Sequence, residues 1–235
     1  MILLSGDLHA NELHELTAIN SRNVKLFCEK ASISKSDIKY HIILGDTGLL
    51  WPGDAGKKND EFIIDFLDHK SFITLCILGN HDNYDAITKL PKIDIGLGNP
   101  VWKVSEKVYF LMRGKVYQIE DKKILALGGG LSIDKDDRIE GVTWWRQEQW
   151  SYIEVDALMK SCPSEVDYIV SHTPPLEAKL ILKKDWLTDY FDETERINSF
   201  IAGATKFKHW FFGHYHQVAD NDKFSCLYKN LRIIK

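Results

Sequence analysis

Short apolar runs of strand length recur along this chain, each closed by a polar or glycine-rich turn. The clearest are Ile2–Leu4, Tyr40–Leu44, Phe72–Leu78, Ile124–Leu127, Tyr168–Val170 and Trp210–Phe212. Their apolarity is continuous rather than alternating, which suits strands of a sheet covered on both faces. Between them lie stretches of helical periodicity. Lys58–His69 sets Phe62, Ile63, Phe66 and Leu67 on one side and leaves Asp60, Asp65 and Asp68 for a wet side. Trp145–Lys160 and Asp189–Ala204 mix apolar and charged positions in the same way, and Asn11–Lys30 reads as a helix interrupted near Asn20–Asn23. Val108–Met112 and Lys115–Ile119 flank Arg113–Gly114 and predict a hairpin with glycine at its turn. Phe224–Ile233 predicts one or two further strands. The pattern is mixed α/β, with βα units early and antiparallel strands in the middle and at the end.

Composition narrows the class further. A chain of 235 residues with 44% hydrophobic, 27% charged and 11% aromatic residues can bury a core of its own and is not a disordered polymer. No linker, repeat or low-complexity tract divides it, so residues 1–235 are expected to form a single domain. No apolar stretch approaches the roughly 18 residues of a membrane span, and the start, MILLSGDLH, carries no basic leader. A cytoplasmic location and no membrane partner are the expectation. Cys28, Cys76, Cys162 and Cys226 lie far apart without CxxC spacing and are read as free thiols. The net charge of −4 provides no cationic field, so nucleic acid is not a favoured partner. Oligomeric state leaves no mark in the sequence.

What separates this chain from a generic α/β domain is the punctuation after its strands. The runs end in Asp7-Leu8-His9, Gly45-Asp46, Gly79-Asn80-His81-Asp82, Ser171-His172 and Gly213-His214-Tyr215-His216. In open α/β sheets the loops leaving the carboxyl ends of parallel strands gather at one edge. Carboxylate, amide oxygen and imidazole nitrogen brought together there make a mixed O/N ligand set for a divalent ion. No cysteine belongs to the cluster, which excludes a thiolate-rich structural zinc site. The supply of ligands exceeds the need of one ion, and a carboxylate such as Asp46 can bridge two. Any one of these motifs alone is an ordinary turn or cap; their joint occurrence at strand ends points to a metal centre.

Taken in order, Asp7-x-His9, Gly45-Asp46, Gly79-Asn80-His81-Asp82, His172 and Gly213-His214-x-His216 resemble the signature of the calcineurin-like metallophosphoesterase superfamily. The resemblance implies a four-layer αββα sandwich, two mixed β-sheets face to face with helices outside and two metals at the sheet edge. It assigns Asp7, His9 and His216 to the first metal, Asp46 to a bridge, and Asn80, His172 and His214 to the second metal. It makes His81 a catalytic residue that faces the substrate on the leaving-group side, with Asp82 expected to orient it. Manganese is the expected metal, with iron, zinc, nickel and magnesium as alternatives.

The departures bear on substrate. The eukaryotic-type Ser/Thr phosphatases resemble GDxVDRG where this chain has Gly45-Asp46-Thr47-Gly48-Leu49-Leu50-Trp51, without arginine. That places the chain outside the protein-phosphatase branch, nearer bacterial or phage-type relatives, and leaves the phosphate clamp to another residue. Arg138, in a segment that also holds Trp144 and Trp145, is the candidate, since a guanidinium can grip phosphate bidentately. One of the two tryptophans is expected to pack on the core. Gly128-Gly129-Gly130 lacks the lysine and Ser/Thr of a nucleotide P-loop and suggests backbone packing near the metals. The expected reaction is hydrolysis of a small phosphorylated substrate, a phosphomonoester, by a metal-bridging hydroxide. A phosphodiesterase acting on a nucleotide or a nucleic-acid end, and a catalytically weak protein-binding scaffold on the same fold, are the alternatives.

Overall fold

The computed structural model describes residues 1–9, 18–182 and 192–235. In chain order it forms β1 (Ile2–Ser5), α1 (Ser21–Ala31), β2 (Tyr40–Ile43), α2 (Asp54–Asp68), β3 (Ile73–Cys76), α3 (Tyr84–Ile87), β4 (Lys92–Ile93), β5 (Val101–Lys103), β6 (Val108–Leu111), β7 (Lys115–Ile119) and β8 (Lys122–Leu127). The second half adds α4 (Tyr152–Ser161), β9 (Tyr168–Ser171), α5 (Glu193–Ala204), β10 (His209–Phe212), β11 (Ala219–Asp220), β12 (Phe224–Cys226) and β13 (Leu231–Ile234).

Among the described residues the strands build two mixed sheets, ordered β13-β1-β2-β3-β6-β5-β4 and β11-β12-β10-β9-β8-β7. The centre of each is parallel: β1, β2, β3 and β6 in the first, β12, β10, β9 and β8 in the second. Antiparallel strands close the edges.

Alternate residues of each strand go to opposite faces, and three apolar layers follow from that. Ile2, Leu4, Ile42, Leu75 and Tyr109 of the first sheet meet Tyr117, Ile124, Ala126, Val170 and Phe211 of the second in the core between the sheets. On the outer face of the first sheet Ile43, Cys76, Val108 and Phe110 receive Ile63 and Leu67 of α2. Leu3 of the same face meets Val24 and Cys28 of α1. On the outer face of the second, Leu125, Ile169, Trp210 and Phe212 receive Leu158 of α4 and Ile197 and Ile201 of α5. The layers run helix, sheet, sheet, helix, as expected, and the strands read as continuously apolar because both faces are covered.

Helix boundaries depart from the hydropathy pattern where capping decides them. Asn20 accepts from Asn23 N at 2.8 Å and starts α1, which is the expected interruption; residues 10–17, and with them much of the expected Asn11–Lys30 helix, lie outside the described residues. Asp189–Phe191 do so as well, and α5 starts after Asp192, whose carboxylate accepts from Thr194 N. The helix expected over Trp145–Lys160 starts only at Tyr152, where Ser151 and Glu154 form a reciprocal capping box. Arg146–Glu148 before it is a single 3-10 turn.

The expected hairpin at Arg113–Gly114 is not one. β6 pairs with β3 and β5 in the first sheet, whereas β7 pairs with β8 in the second. The two apolar runs face each other across the core instead of sharing hydrogen bonds. Arg113 holds the crossing: its guanidinium binds both oxygens of Glu154 at 2.8 and 2.7 Å and lies over the Trp150 ring. Tyr117 stitches the same place, its hydroxyl accepting from Met112 N at 2.7 Å and donating to Pro100 O at 3.0 Å.

One buried group in β2 concerns stability rather than chemistry. His41 is fully enclosed; its Nε2 meets Ser5 Oγ at 2.9 Å, its ring packs against Phe72, and its Nδ1 has no hydrogen-bond partner. Burial, with the Lys70 charge adding to it, pushes this imidazole down to about 3. The described cysteines are all free thiols. No helix among the described residues is long and apolar enough to cross a membrane.

Candidate metal centre

Each expected ligand follows the carboxyl end of a parallel strand: Asp7 and His9 after β1, Asp46 after β2, Asn80 after β3, His172 after β9, and His214 and His216 after β10. The first three strands belong to one sheet and the last two to the other, so the site lies where the edges of the two sheets meet. There the donor atoms converge. His9 Nε2 and His216 Nε2 are 2.9 Å apart, and His216 Nε2 is 3.1 Å from Asp7 Oδ2. His172 Nε2 lies 2.9 Å from Asn80 Oδ1 and 3.2 Å from His214 Nδ1, which is itself 3.0 Å from Asn80 Oδ1. Asp46 Oδ2 stands between the two groups, 3.7 Å from His9 Nε2 and 3.3 Å from His172 Nε2.

This donor set fits cations. His172 Nδ1 meets the carbonyl oxygen of Leu44, so in the neutral imidazole the proton sits there and the Nε2 lone pair turns toward Asn80 Oδ1 and Asp46 Oδ2, which are acceptors too. A divalent ion at that point would satisfy these lone pairs together. Asp7, His9 and His216 form one candidate cluster and Asp7, Asp46 and His172 another, each with its donor atoms within 4.8 Å. Two candidate clusters that share the Asp7 carboxylate are the makings of a binuclear centre.

The backbone that presents these groups is strained where they sit. His9, Asp46, His214 and His216 all have positive φ, between 42° and 66°, which non-glycine residues adopt only when the surroundings insist. The surroundings are hydrogen bonds between the loops. His9 N donates to Asp46 O at 2.7 Å, His81 N to Asp46 Oδ1 at 2.7 Å, and His214 N to Asp7 Oδ1 at 2.9 Å. The glycines of the motifs make room for those carboxylates. A Cβ on Gly79 would come within 2.1 Å of Asp46 Oδ1, and one on Gly213 within 2.0 Å of Asp7 Oδ1. Side chains behind the donors fix their direction. Asn80 Nδ2 donates to Ser132 Oγ, which donates to the fully buried Glu148 at 2.6 Å, so the amide oxygen points to the cluster. His172 Nδ1 pairs with Leu44 O at 2.8 Å, and Tyr228 stacks on His216 with ring planes 5° apart.

Electrostatics agree with a cation site. Burial opposes ionisation of Asp46, but His172, His81 and His9 override it and hold the carboxyl well below the usual range. Asp7 behaves likewise: burial resists, and the bond from His216 with the His172 charge wins. His172 is itself enclosed, yet Asp46 and Asp7 lift it to about 10. His214 goes the other way, down to about 3, because it is buried and faces the charged His172. Left to itself the chain thus keeps a proton on His172 beside two enclosed carboxylates, and a divalent ion would take that proton's place.

The family of calcineurin-like phosphoesterases matches residues 1–218. The chain belongs to that family. That family is one of metal-dependent phosphoesterases, and the chain's sandwich fold and its paired candidate clusters agree with membership. No curated protein matches it. Among solved structures it is similar to the "Putative 5'-Nucleotidase from Staphylococcus aureus in complex with alpha-ketoglutarate", with 16% identity and a TM-score of 0.49. That similarity covers 98% of this chain and 49% of the other, so the chain spans about half the length of that protein.

Beside the candidate clusters lies a cleft of about 190 Å³ lined by His9, Gly48, Trp51, His81 and Arg138. His81 and Arg138, singled out in the sequence, are thus brought together. Burial, with Arg138 acting against Asp46, lowers the His81 pKa from its ordinary value. Arg138 is held by Asp134 at 2.7 Å and by Thr143 O at 3.0 Å, while its Nε is buried without a partner.

Asp82 does not orient His81. Its oxygens accept from Thr47 N, Thr47 Oγ1 and Gly79 N at 2.7–2.9 Å, binding the loop after β2 to the loop after β3. Burial and then the Asp46 charge push this carboxyl up to about 6. Trp145 packs in the core at 1% exposure, which settles which tryptophan does so. The glycine run approaches the site as packing: a Cβ on Gly130 would meet Thr173, His172 and Asn80. Thr47, Ser132, Asp134 and Glu148 escaped the sequence reading because they are common polar residues outside the motifs. Trp51 was visible there only as a substitute for arginine.

Proposed function

We propose that this phosphoesterase hydrolyses a phosphomonoester, with residues 1–235 acting as one catalytic domain. The observation that supports this reading is the meeting of two N/O donor groups at Asp46 Oδ2, beside a cleft that carries His81 and Arg138. Asp7, His9, His216 and Asp46 would hold one ion, and Asp46, Asn80, His172 and His214 the other. Manganese is the proposed metal, in keeping with the mixed oxygen and nitrogen donors. Two divalent ions held there would supply a water of lowered pKa and neutralise charge on the phosphoryl oxygens.

The remaining work falls to the chain. Arg138, on the wall of the cleft, would grip the phosphoryl group, with Asp134 and Thr143 holding its guanidinium in place. A monoester dianion gains more from that cation than a diester does. His81 keeps a proton on a ring nitrogen for the departing oxygen. Its lowered pKa leaves it neutral near pH 7 in the chain alone, and a phosphate dianion beside it favours the imidazolium. As the bond from phosphorus to the ester oxygen breaks and water takes its place, the proton passes from His81 to the alkoxide. Asp82 serves by position, keeping the Asp46 and Asn80 loops in register. A cytoplasmic location accords with the free thiols.

The test is a hydrolysis panel of matched monoesters and diesters, each assayed with Mn²⁺, Fe²⁺, Zn²⁺, Ni²⁺ and Mg²⁺. Release of phosphate from monoesters at least tenfold faster than cleavage of diesters, abolished by chelation, is the expected result. Faster diester cleavage would replace the reading with a phosphodiesterase, and inactivity with every metal would replace it with a scaffold.

A further inference from the structure

Trp51 forms a wall of the cleft that the chemistry proposed above does not use. Its indole Nε1 donates to His81 O at 3.1 Å, and its ring meets the buried Trp145 at a centroid distance of 5.5 Å and an angle of 89°. Both contacts hold the ring still. The backbone before it is constrained as well. Leu50 sits at φ 63°, a conformation that leucine adopts only when it is imposed. Leu50 N donates to Asp60 Oδ1 at 2.9 Å, and Leu50 O accepts from Asn83 Nδ2 at 2.6 Å. Neither Asp60 nor Asn83 supplies an atom to the donor clusters.

Core packing accounts for only part of this arrangement. Trp51 packs against the layer that the buried Trp145 fills, yet it remains only partly buried at the border of the cleft. What the strained loop achieves is a fixed aromatic surface in the cleft that His81 and Arg138 also line. The cleft, about 190 Å³, is smaller than the roughly 300–1,000 Å³ of sites that enclose a whole ligand. It takes the phosphoryl group and the first part of the leaving group, and the rest extends past the rim.

We infer that Trp51 is a specificity-determining residue that stacks on a planar ring of the leaving group. The preferred substrates are then phosphomonoesters whose alcohol carries an aromatic or heteroaromatic ring close to the ester oxygen. Such stacking gives about a tenfold to hundredfold preference, because a rigid indole loses little freedom on contact and accepts any planar π-face. This inference rests on the monoesterase reading, and its test separates the two.

The experiment compares benzyl phosphate with cyclohexylmethyl phosphate, whose alkoxides are similar as leaving groups and whose rings differ in planarity. The Mn²⁺-loaded protein is assayed as wild type, Trp51→Leu and Trp51→Phe, with metal content and circular dichroism recorded for each. Binding of the corresponding phosphonates, which are not cleaved, is measured by calorimetry on the same samples. The expected result is a kcat/KM ratio of at least ten for benzyl over cyclohexylmethyl, expressed mainly in KM. The ratio falls toward one in Trp51→Leu and is largely kept in Trp51→Phe, and the phosphonates follow the same order. Cleavage of both esters at equal efficiency, or an unchanged ratio in Trp51→Leu, overturns the inference and leaves the monoesterase reading standing. No cleavage of either ester, with phosphonate selectivity that Trp51→Leu abolishes, overturns the monoesterase reading and supports stacking by Trp51.

Discussion

Lowering the pH from 7 to 5 should destabilise the fold through His41, and the size of the effect can be worked out. In the native protein the imidazole is enclosed, one nitrogen is already engaged with Ser5, and the other has no acceptor waiting for a proton. Its pKa is about 3 there, against roughly 6.5 in the unfolded chain. The unfolded state therefore binds the extra proton and stability rises with pH between these values. The contribution is complete above about pH 6.5 and is lost as pH falls toward 3. Between pH 7 and 5 the unfolded chain gains about 0.7 proton at this position and the native protein almost none, a loss of about 2 kcal/mol. A native pKa anywhere below 4 leads to nearly the same figure. The assay is urea unfolding in the presence of a chelator at both pH values, for wild type and His41→Phe. The variant loses the Ser5 contact, which lowers its stability at both pH values equally. It should be about 2 kcal/mol less sensitive to the change in pH. Parallel pH dependence in the two proteins would refute the argument and show that His41 protonates in the native state.

Three variants examine the site. Asp46→Asn should retain fewer ions after dialysis and lose more than about a hundredfold in turnover, as expected when a carboxylate shared by two cations becomes neutral; two retained ions and near-normal turnover would contradict the bridge. Arg138→Ala should raise KM more than it lowers kcat and leave metal content unchanged, whereas unaltered kinetics would place the phosphate clamp elsewhere. His81→Ala should keep its metals and lose about 10²–10⁴-fold in kcat on esters of poor alkoxide leaving groups. Its defect on an activated aryl ester should be visibly smaller, and a parallel loss of metal and activity would make His81 a ligand or a support.

The fold was legible wherever residues carry their own signal. The six apolar runs all lie on strands, and the residues at their ends mark a single edge because parallel strands deliver their loops there. What escaped was the pairing. Nothing local distinguishes two runs joined by Arg113–Gly114 as a hairpin from two strands that part into facing sheets. That choice is made by Arg113 bound to Glu154 and by Tyr117 bound to Met112 and Pro100, contacts that exist only in the folded chain. The start of α4 was set by the Ser151–Glu154 box and not by hydropathy. In the site, donors with rare chemistry were readable, while their supports were not. Ser132, Glu148 and Thr47 acquire a role only from the side chain that folding sets against them. The role of Asp82 was misread because its neighbour in sequence, His81, is not its partner in space.

The central claim is that the strand-end residues form a two-metal centre. The measurement that tests it most directly is the number of divalent ions retained per chain, determined by plasma mass spectrometry after Mn²⁺ loading and exhaustive dialysis. The account predicts two ions for the wild-type protein, with loss of ions when His216 or His172 is replaced by alanine. One ion per chain, none, or two that persist unchanged in both variants would contradict it.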